Sequence, residues 1–195
     1  FERSSVIDRV ILVLPRRGFD DYRRLMAPWV AGAKPVDMVP GGEERQDSTR
    51  AGLDALPPDL QGFVAVHDGA RPLVETDVIR RVVEAAERTG SALAALPVYE
   101  TLKEVDGDRV IGTVNRQRFY RAQTPQCFRY GILKEALGSA RSDRIIGTDE
   151  SALVERVGVE VTVVPGSESN LKVTTSKDLV LAEYYLELER LEADR

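Results

Sequence analysis

Short apolar runs alternate along this chain with segments in which apolar residues recur at every third or fourth position. The run Val10–Leu14 stops at Pro15 and is typical of a strand buried on both faces of a parallel sheet. Residues 20–30 follow it, and their apolar side chains have the spacing of one covered helix face: Tyr22, Leu25, Met26 and Trp29. This order of strand and helix constrains the fold more than any other feature, because it builds a sheet with helices packed on its faces.

The same order continues to the end of the chain. Further strands are predicted at residues 36–39, 62–67, 91–98, 159–164 and 171–174. Further helices are predicted from residue 43 to about 56, from 76 through 86, at 130–139, at 149–157, and after 175. Thr76 and Thr175 are the predicted N-caps of two helices, and Asp178 completes a capping box with Thr175. We therefore predict an α/β three-layer sandwich whose ligands bind beyond the carboxyl ends of the strands.

Residues 102–114 depart from this pattern. Two polar segments flank Asp106-Gly107, a dipeptide that favours a tight hairpin turn. The segment therefore predicts an antiparallel excursion that leaves the main sheet, and we call residues 99–119 the arm. Because no repeat, low-complexity segment or linker interrupts the sequence, residues 1–195 are predicted to form a single domain that carries this arm.

Composition narrows the classes of function. Of the 195 residues, 43% are hydrophobic and 30% are charged, which is typical of one soluble globular domain. The net charge of −5, without a long run of like charges, argues against nucleic acid as a partner. No apolar stretch reaches the roughly eighteen residues of a membrane span. One cysteine and one histidine, Cys127 and His67, can form neither an internal disulfide nor a Cys/His zinc cage, so a reducing, cytoplasmic setting is predicted.

Two charged residues follow the predicted strand at 62–67. Asp68 should emerge at the end of that strand, where a carboxylate can bind magnesium together with ligand phosphates, or can simply cap the turn that follows. Arg71 lies three residues further on and can either pair with Asp68 or hold a phosphate in a bidentate contact. The spacing alone leaves these alternatives open. His67 points to the opposite side of the strand and is interpreted as a core or supporting histidine.

Two other segments can bind an anion. Residues 40–48 join a glycine turn to a helix start, whose free amides can receive a base edge or a phosphate, although glycine also ends strands for purely steric reasons. Lys172 follows a polar loop on a predicted short strand, where a lone lysine is either a charge clamp or an edge residue. Both segments follow strands, as Asp68 and Arg71 do.

Six segments, taken in order, carry a family resemblance that covers the chain from about Val10 to its last helix. They read PGGEERQDS, VHDGARP, ETLKE, TVNRQRFYRAQTPQCF, TDESALVERVG and SNLKVTTSKDL. In this order they resemble the 2-C-methyl-D-erythritol 4-phosphate cytidylyltransferases of the non-mevalonate isoprenoid pathway. The resemblance implies a Rossmann-like nucleotidyltransferase fold with a protruding β-arm, and a homodimer whose arms interlock. It also implies magnesium-dependent transfer of the cytidylyl group from CTP to the phosphate of methylerythritol phosphate, with release of pyrophosphate.

The resemblance further implies which residues bind the nucleotide and the metal. The nucleotide would be bound by Gly42, Glu43, Ser48 and Ala70. Mg²⁺ would be bound by Asp68, which also belongs to the substrate site. Asn170 is a candidate second metal contact, by a looser analogy with other nucleotidyltransferases.

The substrate phosphate would be held by two subunits together. Arg71 and Lys172 would contact it from one subunit, and Thr101 and Arg116 would reach it from the arm of the partner. Thr124 would also contact the substrate. Lys172 and Arg116 are the predicted catalytic residues.

One segment of the family has no match in this sequence. Family members begin with a strand and a glycine-rich loop that carries an arginine and a lysine for the triphosphate, whereas this sequence opens at Phe1 with residues that match the end of the first family helix. Because a sheet without that strand would have two unpaired edges in its core, we expect roughly forty further residues before Phe1. Two alternatives stay open: a cytidylyltransferase for another polyol phosphate such as ribitol 5-phosphate, and a non-catalytic nucleotide-binding relative.

Overall fold

The alternation of strands and helices in the sequence reappears in the fold, which we describe from a computed structural model covering residues 1–30, 32 and 34–193, with side chains through residue 191. The strands are β1 (Val10–Leu14), β2 (Val36–Pro40), β3 (Phe63–Val66), β4 (Ser91–Pro97), β5 (Lys103–Asp106), β6 (Arg109–Thr113), β7 (Tyr120–Arg129) and β8 (Thr162–Pro165). The helices are α1 (Phe19–Met26), α2 (Arg45–Asp54), α3 (Thr76–Thr89), α4 (Tyr130–Ser142), α5 (Glu150–Arg156) and α6 (Ser176–Ala193). Short 3₁₀ turns span Ala27–Trp29 and Arg116–Arg118.

The strands of the body form two sheets. β1 and β2 pair in parallel, and a four-stranded sheet has the order β3-β7-β4-β8. Within the larger sheet β7 runs antiparallel to both of its neighbours, whereas β4 and β8 are parallel. The first residue after β3 is therefore at the same edge of this sheet as the loop that follows β8.

Two apolar clusters cover opposite faces of the four-stranded sheet. On one face α3 packs its stripe of Val78, Ile79, Val82 and Ala86 against β4, β7 and β8. On the other face α2, α4 and α5 pack together, with Phe128, Leu133, Leu137, Leu153 and Val154 at the centre. Each helix thus buries one apolar stripe, and the predicted three-layer α/β arrangement is confirmed.

The sequence pattern does not predict strand β7, which lies at the centre of the larger sheet. Its middle is polar, yet Gln123, Thr124 and Gln126 are all buried. Pro125 has no N–H to donate to a neighbouring strand. The register of β4 against β7 shifts between Leu93 and Ala95, on the strand opposite this region, which accommodates the interruption.

Two local predictions are wrong and one is confirmed. Residues 171–174 form no strand; instead the Val173 N–H donates to the carbonyl of Ala70 at 2.7 Å. Thr76 is the first residue of α3 rather than its N-cap, which is Glu75. The box at the start of α6 is present, because Thr175 N–H donates to Asp178 Oδ2 at 2.7 Å and Asp178 N–H donates to Thr175 Oγ1 at 3.4 Å.

The arm contains the predicted hairpin. β5 and β6 pair antiparallel around Gly107, whose φ of 60° suits the turn. The apolar side chains Val105, Val110 and Ile111 are each more than half exposed. In the described part of the chain, no helix has the length and apolar character needed to cross a membrane.

Candidate active site

Asp68 lies two residues beyond the end of β3, where the loop after this strand meets β7 and the loop that follows β8. Its N–H donates to Thr124 Oγ1 of β7 at 3.0 Å. The loop 68–72 is tied to the loop after β8 through Arg71, whose Nη1 donates to the carbonyl of Asn170 at 2.7 Å. Three of the predicted substrate and metal residues, Asp68, Arg71 and Asn170, are therefore brought together, although they are up to about a hundred positions apart in the sequence.

Two cations hold the Asp68 carboxylate. Arg45 contacts Oδ1 through Nε at 3.0 Å and Nη2 at 2.9 Å, and Lys172 Nζ lies 2.9 Å from Oδ2. The Asp68 side chain is only 13% exposed. Burial by itself would raise the pKa of Asp68, but the hydrogen bonds and charges of Lys172 and Arg45 outweigh it and the pKa is lowered. The carboxylate is thus fixed in its charged form.

A cavity of about 210 Å³ opens beside Lys172, the more exposed of the two cations that contact this carboxylate. It is lined by Arg71, Leu96, Arg121, Ala122, Gln123, Glu168, Leu171 and Lys172. Burial lowers the pKa of Arg71, and the nearby charge of Asp68 opposes that shift. Arg71 Nε is buried, and none of the described residues accepts a hydrogen bond from it. The Arg71 residue lines the cavity, and the charge of its guanidinium would stabilise an anion there.

His67 has the supporting role predicted for it. Its Nδ1 lies 3.0 Å from Thr124 Oγ1, and its Nε2 lies 3.0 Å from the carbonyl of Arg71. Burial lowers the pKa of His67, so the neutral ring is favoured. Thr124 Oγ1 already accepts the Asp68 N–H, so its own hydrogen is available for His67 Nδ1, and Nε2–H then donates to Arg71. The ring thereby fixes the hydroxyl of Thr124 and the backbone of the Asp68 loop.

The predicted nucleotide-binding segment is a tight turn at the start of α2. Gly42 N–H donates to Ser48 Oγ at 3.2 Å, and Glu44 and Asp47 form a reciprocal capping box. A Cβ on Gly42 would lie 2.2 Å from the Cβ of Asp47, so only glycine fits there. The side chain of Glu43 is exposed at this turn. Ala70, the fourth predicted residue, lies in the Asp68 loop, where its carbonyl accepts the Val173 N–H.

The structure does not bring every predicted residue into one cluster. Thr101 and Arg116 lie on the arm and are exposed. Within the described residues no hydrogen bond or ion pair joins either side chain to Asp68, Arg71 or Lys172. Their predicted role, which places them in the site of a second subunit, stays a prediction.

Sequence reasoning missed two residues of the site, Arg45 and Glu150. Arg45 Nη1 contacts Glu150 Oε1 at 2.7 Å and Oε2 at 2.6 Å, and the Glu150 side chain is only 1% exposed. Burial by itself would lower the pKa of Arg45, but the charges and hydrogen bonds of Glu150 and Asp68 raise it. Both residues lie within the segments PGGEERQDS and TDESALVERVG, but the pairing of these segments becomes apparent only in three dimensions.

The oxygen atoms around Asp68 fit a hard divalent cation. Mg²⁺ bound with phosphates commonly uses only one or two protein carboxylates and takes its other ligands from phosphate and water. Asp68 supplies one carboxylate, and Asn170 Oδ1 is a buried oxygen without a hydrogen-bond partner among the described residues. No group of three or more His, Cys, Asp or Glu side chains in the described ranges could hold a metal by itself. The donor set therefore suits a metal that arrives with a phosphate ligand.

This α/β fold has a carboxylate and basic side chains beyond the ends of its strands. Together, the fold and the site define the protein as a nucleotidyltransferase. The model of the family IspD, 2-C-methyl-D-erythritol 4-phosphate cytidylyltransferase, matches residues 1–188. The chain belongs to this family, as its sequence segments predict, and it is a cytidylyltransferase.

Individual relatives agree with this assignment. The 2-C-methyl-D-erythritol 4-phosphate cytidylyltransferase of Syntrophus aciditrophicus is 43% identical over 189 residues, which are 96% of this chain and 80% of that protein. The Bacillus licheniformis protein of the same name is 40% identical over 190 residues, covering 97% of this chain and 81% of the relative. The crystal structure of 4-diphosphocytidyl-2C-methyl-D-erythritol synthase from Anaerococcus prevotii superposes with a TM-score of 0.85 at 30% identity, over 95% of this chain and 81% of that one.

Proposed function

We propose that this chain transfers the cytidylyl group of CTP to the phosphate of 2-C-methyl-D-erythritol 4-phosphate, releasing pyrophosphate, as a step in isoprenoid precursor biosynthesis. The observation that carries the proposal is the Asp68 carboxylate, which is held between Arg45 and Lys172, together with the cavity that Lys172 and Arg71 line. Membership of the cytidylyltransferase family supports the choice of CTP and of this acceptor. A cytoplasmic setting is part of the proposal.

The acceptor needs positioning more than activation, because its phosphate is already an anion. Two polyanions must approach each other, so fixed positive charge at the point of contact is the main requirement. Arg71 and Lys172 line the cavity, and their two positive charges support a phosphate there. Lys172 would leave Asp68 and contact the phosphate, since its side chain is 45% exposed and on a loop. Thr124, fixed by His67, would contact the substrate from β7.

Mg²⁺, when bound with CTP, would neutralise phosphate charge, and Asp68 together with Asn170 would hold it. Asn170 also supports the site directly, because its Nδ2 donates to the carbonyl of Thr124 at 2.8 Å. The cytosine would be bound at the start of α2 by Gly42, Glu43 and Ser48, and by Ala70. The glycine turn at the start of α2, which the 3.2 Å bond from Gly42 N–H to Ser48 Oγ holds in place, supports a base edge at this position.

We further propose that the active protein is a homodimer in which each arm completes the site of the other subunit. A two-stranded hairpin is marginal by itself, and the exposed apolar residues Val105, Val110 and Ile111 would be covered by a second copy. Thr101 and Arg116 of the arm would then reach the acceptor phosphate of the partner. Dimerisation and catalysis would depend on the same segment.

Pyrophosphate release from CTP tests the proposed reaction. With Mg²⁺ present, we expect release with 2-C-methyl-D-erythritol 4-phosphate and much less with ribitol 5-phosphate offered at the same concentration. Faster release with ribitol 5-phosphate would show that another polyol phosphate is the preferred acceptor, and the proposed type of reaction would stand. CTP binding without release with either acceptor would contradict the proposal and favour a binding protein.

A further inference from the structure

A series of ionic contacts extends from Asp68 through Arg45 to Glu150, and neither Arg45 nor Glu150 lines the cavity. Arg45 lies between two carboxylates: its Nε and Nη2 contact Asp68, and its Nη1 contacts both oxygens of Glu150. Glu150 also accepts a hydrogen bond from Thr49 Oγ1 at 2.7 Å. No step of the proposed reaction uses Arg45 or Glu150. Burying the Glu150 carboxylate nevertheless costs desolvation free energy, which its ion pair with Arg45 must offset.

Glu150 cannot move easily. It is in the first turn of α5, and the preceding residue, Asp149, caps that helix by accepting the Ala152 N–H at 2.9 Å. Asp149 also accepts a hydrogen bond from Gln126 Nε2 of β7 at 2.8 Å, and Ser151 N–H donates to Gln126 Oε1 at 3.0 Å. The position of Glu150 is therefore set by the central strand of the sheet.

The two cations at Asp68 differ in how easily each can leave. Lys172 makes one contact to Asp68 from a loop, and its side chain is 45% exposed. Arg45 makes two contacts to Asp68 and two to Glu150, so moving it would leave a carboxylate that is 1% exposed without its partner. Displacing Lys172 exposes Oδ2 to a ligand, while Oδ1 stays held by Arg45.

We propose that Arg45 and Glu150 are positioning residues that keep the Asp68 carboxylate oriented to receive a divalent cation, and that Lys172 is the partner this carboxylate exchanges. This inference rests on the proposed role of Asp68 in binding metal. The charge of Glu150 is part of the role, because it balances Arg45, and without it Arg45 would repel a cation approaching Asp68 more strongly. Arg45 also opens α2, so it fixes the nucleotide-binding turn relative to the metal ligand.

Three variants of the full chain test the inference. Glu150→Gln keeps the shape and the Thr49 hydrogen bond but removes the charge, and Arg45→Lys keeps the charge but cannot contact both carboxylates. Asp143→Asn is the matched control. It also removes the charge of a carboxylate paired with an arginine, but this partner, Arg156, lies in α5, the helix of Glu150, and the ion pair is exposed. Binding of Mn²⁺ with CTP is measured by electron paramagnetic resonance without an acceptor, kcat and KM are measured with it, and thermal unfolding is followed for each variant.

We expect Glu150→Gln and Arg45→Lys each to lower Mn²⁺ affinity and kcat by about 10- to 100-fold, the usual effect of losing a residue that orients a metal ligand. KM for the acceptor should change little, and the control should match the wild type. Because Arg45 and Glu150 act together, the double variant should lose no more Mn²⁺ affinity and kcat than the more impaired of the two single variants. If both single variants keep wild-type Mn²⁺ affinity and kcat, the inference is wrong. Should Glu150→Gln fail to fold, Arg45→Lys alone decides.

The Mn²⁺ measurement separates this inference from the proposed reaction. If the wild-type protein binds Mn²⁺ and CTP but releases no pyrophosphate, the reaction is wrong, and the variants still report on the positioning of Asp68. If it does not hold Mn²⁺ with CTP, Asp68 is not a metal ligand and the inference is overturned.

Discussion

At the scale of single residues, the site depends on charge that is placed before any ligand arrives. Lys172 and Arg45 hold Asp68 ionised, and Arg71 lines the cavity close by. Charge that is already fixed in the site needs less rearrangement of water when a polyanion binds, and in the proposed site only Lys172 moves, from Asp68 to the phosphate. Such charge contributes more than a charge on the surface.

Replacing Lys172 with alanine should lower turnover by about two to three orders of magnitude, the usual scale for losing one electrostatic stabiliser. The loss should appear in kcat, measured as pyrophosphate release at saturating CTP and acceptor. Lys177→Ala, an exposed lysine in the first turn of α6, is the control and should be close to wild type. A wild-type kcat for Lys172→Ala would remove this lysine from the site.

The single cysteine should be unreactive in the folded protein. Cys127 is fully buried in the cluster under α3, and burial raises its pKa to about 12, with a smaller contribution from Glu87. The thiolate, which is the reactive form, is therefore suppressed throughout the neutral range. A disulfide reagent should modify the protein only as fast as it unfolds, and raising the pH from 7 to 9 should accelerate the reaction only through unfolding. Rapid stoichiometric labelling at pH 7 would contradict this burial.

At the scale of elements, the helix layer of α2, α4 and α5 should contribute strongly to stability, because its centre is fully buried. Leu133→Ala removes a completely buried side chain from this layer and should cost about 2–5 kcal/mol in the free energy of unfolding. Leu25 of α1 is 64% exposed, so Leu25→Ala should change the free energy of unfolding by less than about 0.5 kcal/mol. Urea unfolding followed by circular dichroism measures both. Equal losses in the two variants would mean that α1 is covered by something as extensive as the core.

Elements with one clear periodicity could be predicted, and those shaped by polar pairing could not. Local sequence is enough to predict β1, β4 and α3. A short apolar run is buried most readily as a strand, and apolar residues at every third or fourth position are buried together only on one face of a helix. Strand β7 escapes prediction because its buried Gln123 and Gln126 are satisfied by partners elsewhere in the chain: Gln123 bonds the loop at Ser167, and Gln126 bonds Asp149. The sequence gives no local sign of these partners.

The residues of the candidate site also fall into two groups, those that the sequence indicates and those that it does not. Asp68, Arg71 and Lys172 could be found, because each follows a strand or a polar loop and each lies in a motif of the family. Arg45 and Glu150 could not, because their pairing joins positions 105 residues apart and depends on how α2 packs beside α5. A buried acid in the first turn of a helix has no sequence signature that separates it from an exposed one.

At the scale of the whole molecule, the arm is the segment through which the proposed homodimer would assemble. β5 and β6 pair with each other, and nearly all of their residues are exposed. Since Lys172 lies on the body and Arg116 on the arm, a site that needs both would be shared between subunits. This geometry allows assembly and catalysis to be tested in one experiment.

Mixing two inactive variants should restore activity if the site is shared. In a hybrid of Arg116→Ala and Lys172→Ala protomers, one site combines the intact Lys172 of the first with the intact Arg116 of the second, while the other site lacks both. Equimolar exchange should therefore recover about a quarter of the wild-type rate, because half of the dimers are hybrids and each has one complete site. Each variant incubated alone is the control and should stay inactive. Mass spectrometry of the intact dimers verifies that hybrids form, and verified hybrids without any recovery would mean that Arg116 and Lys172 act in the same subunit or not together at all.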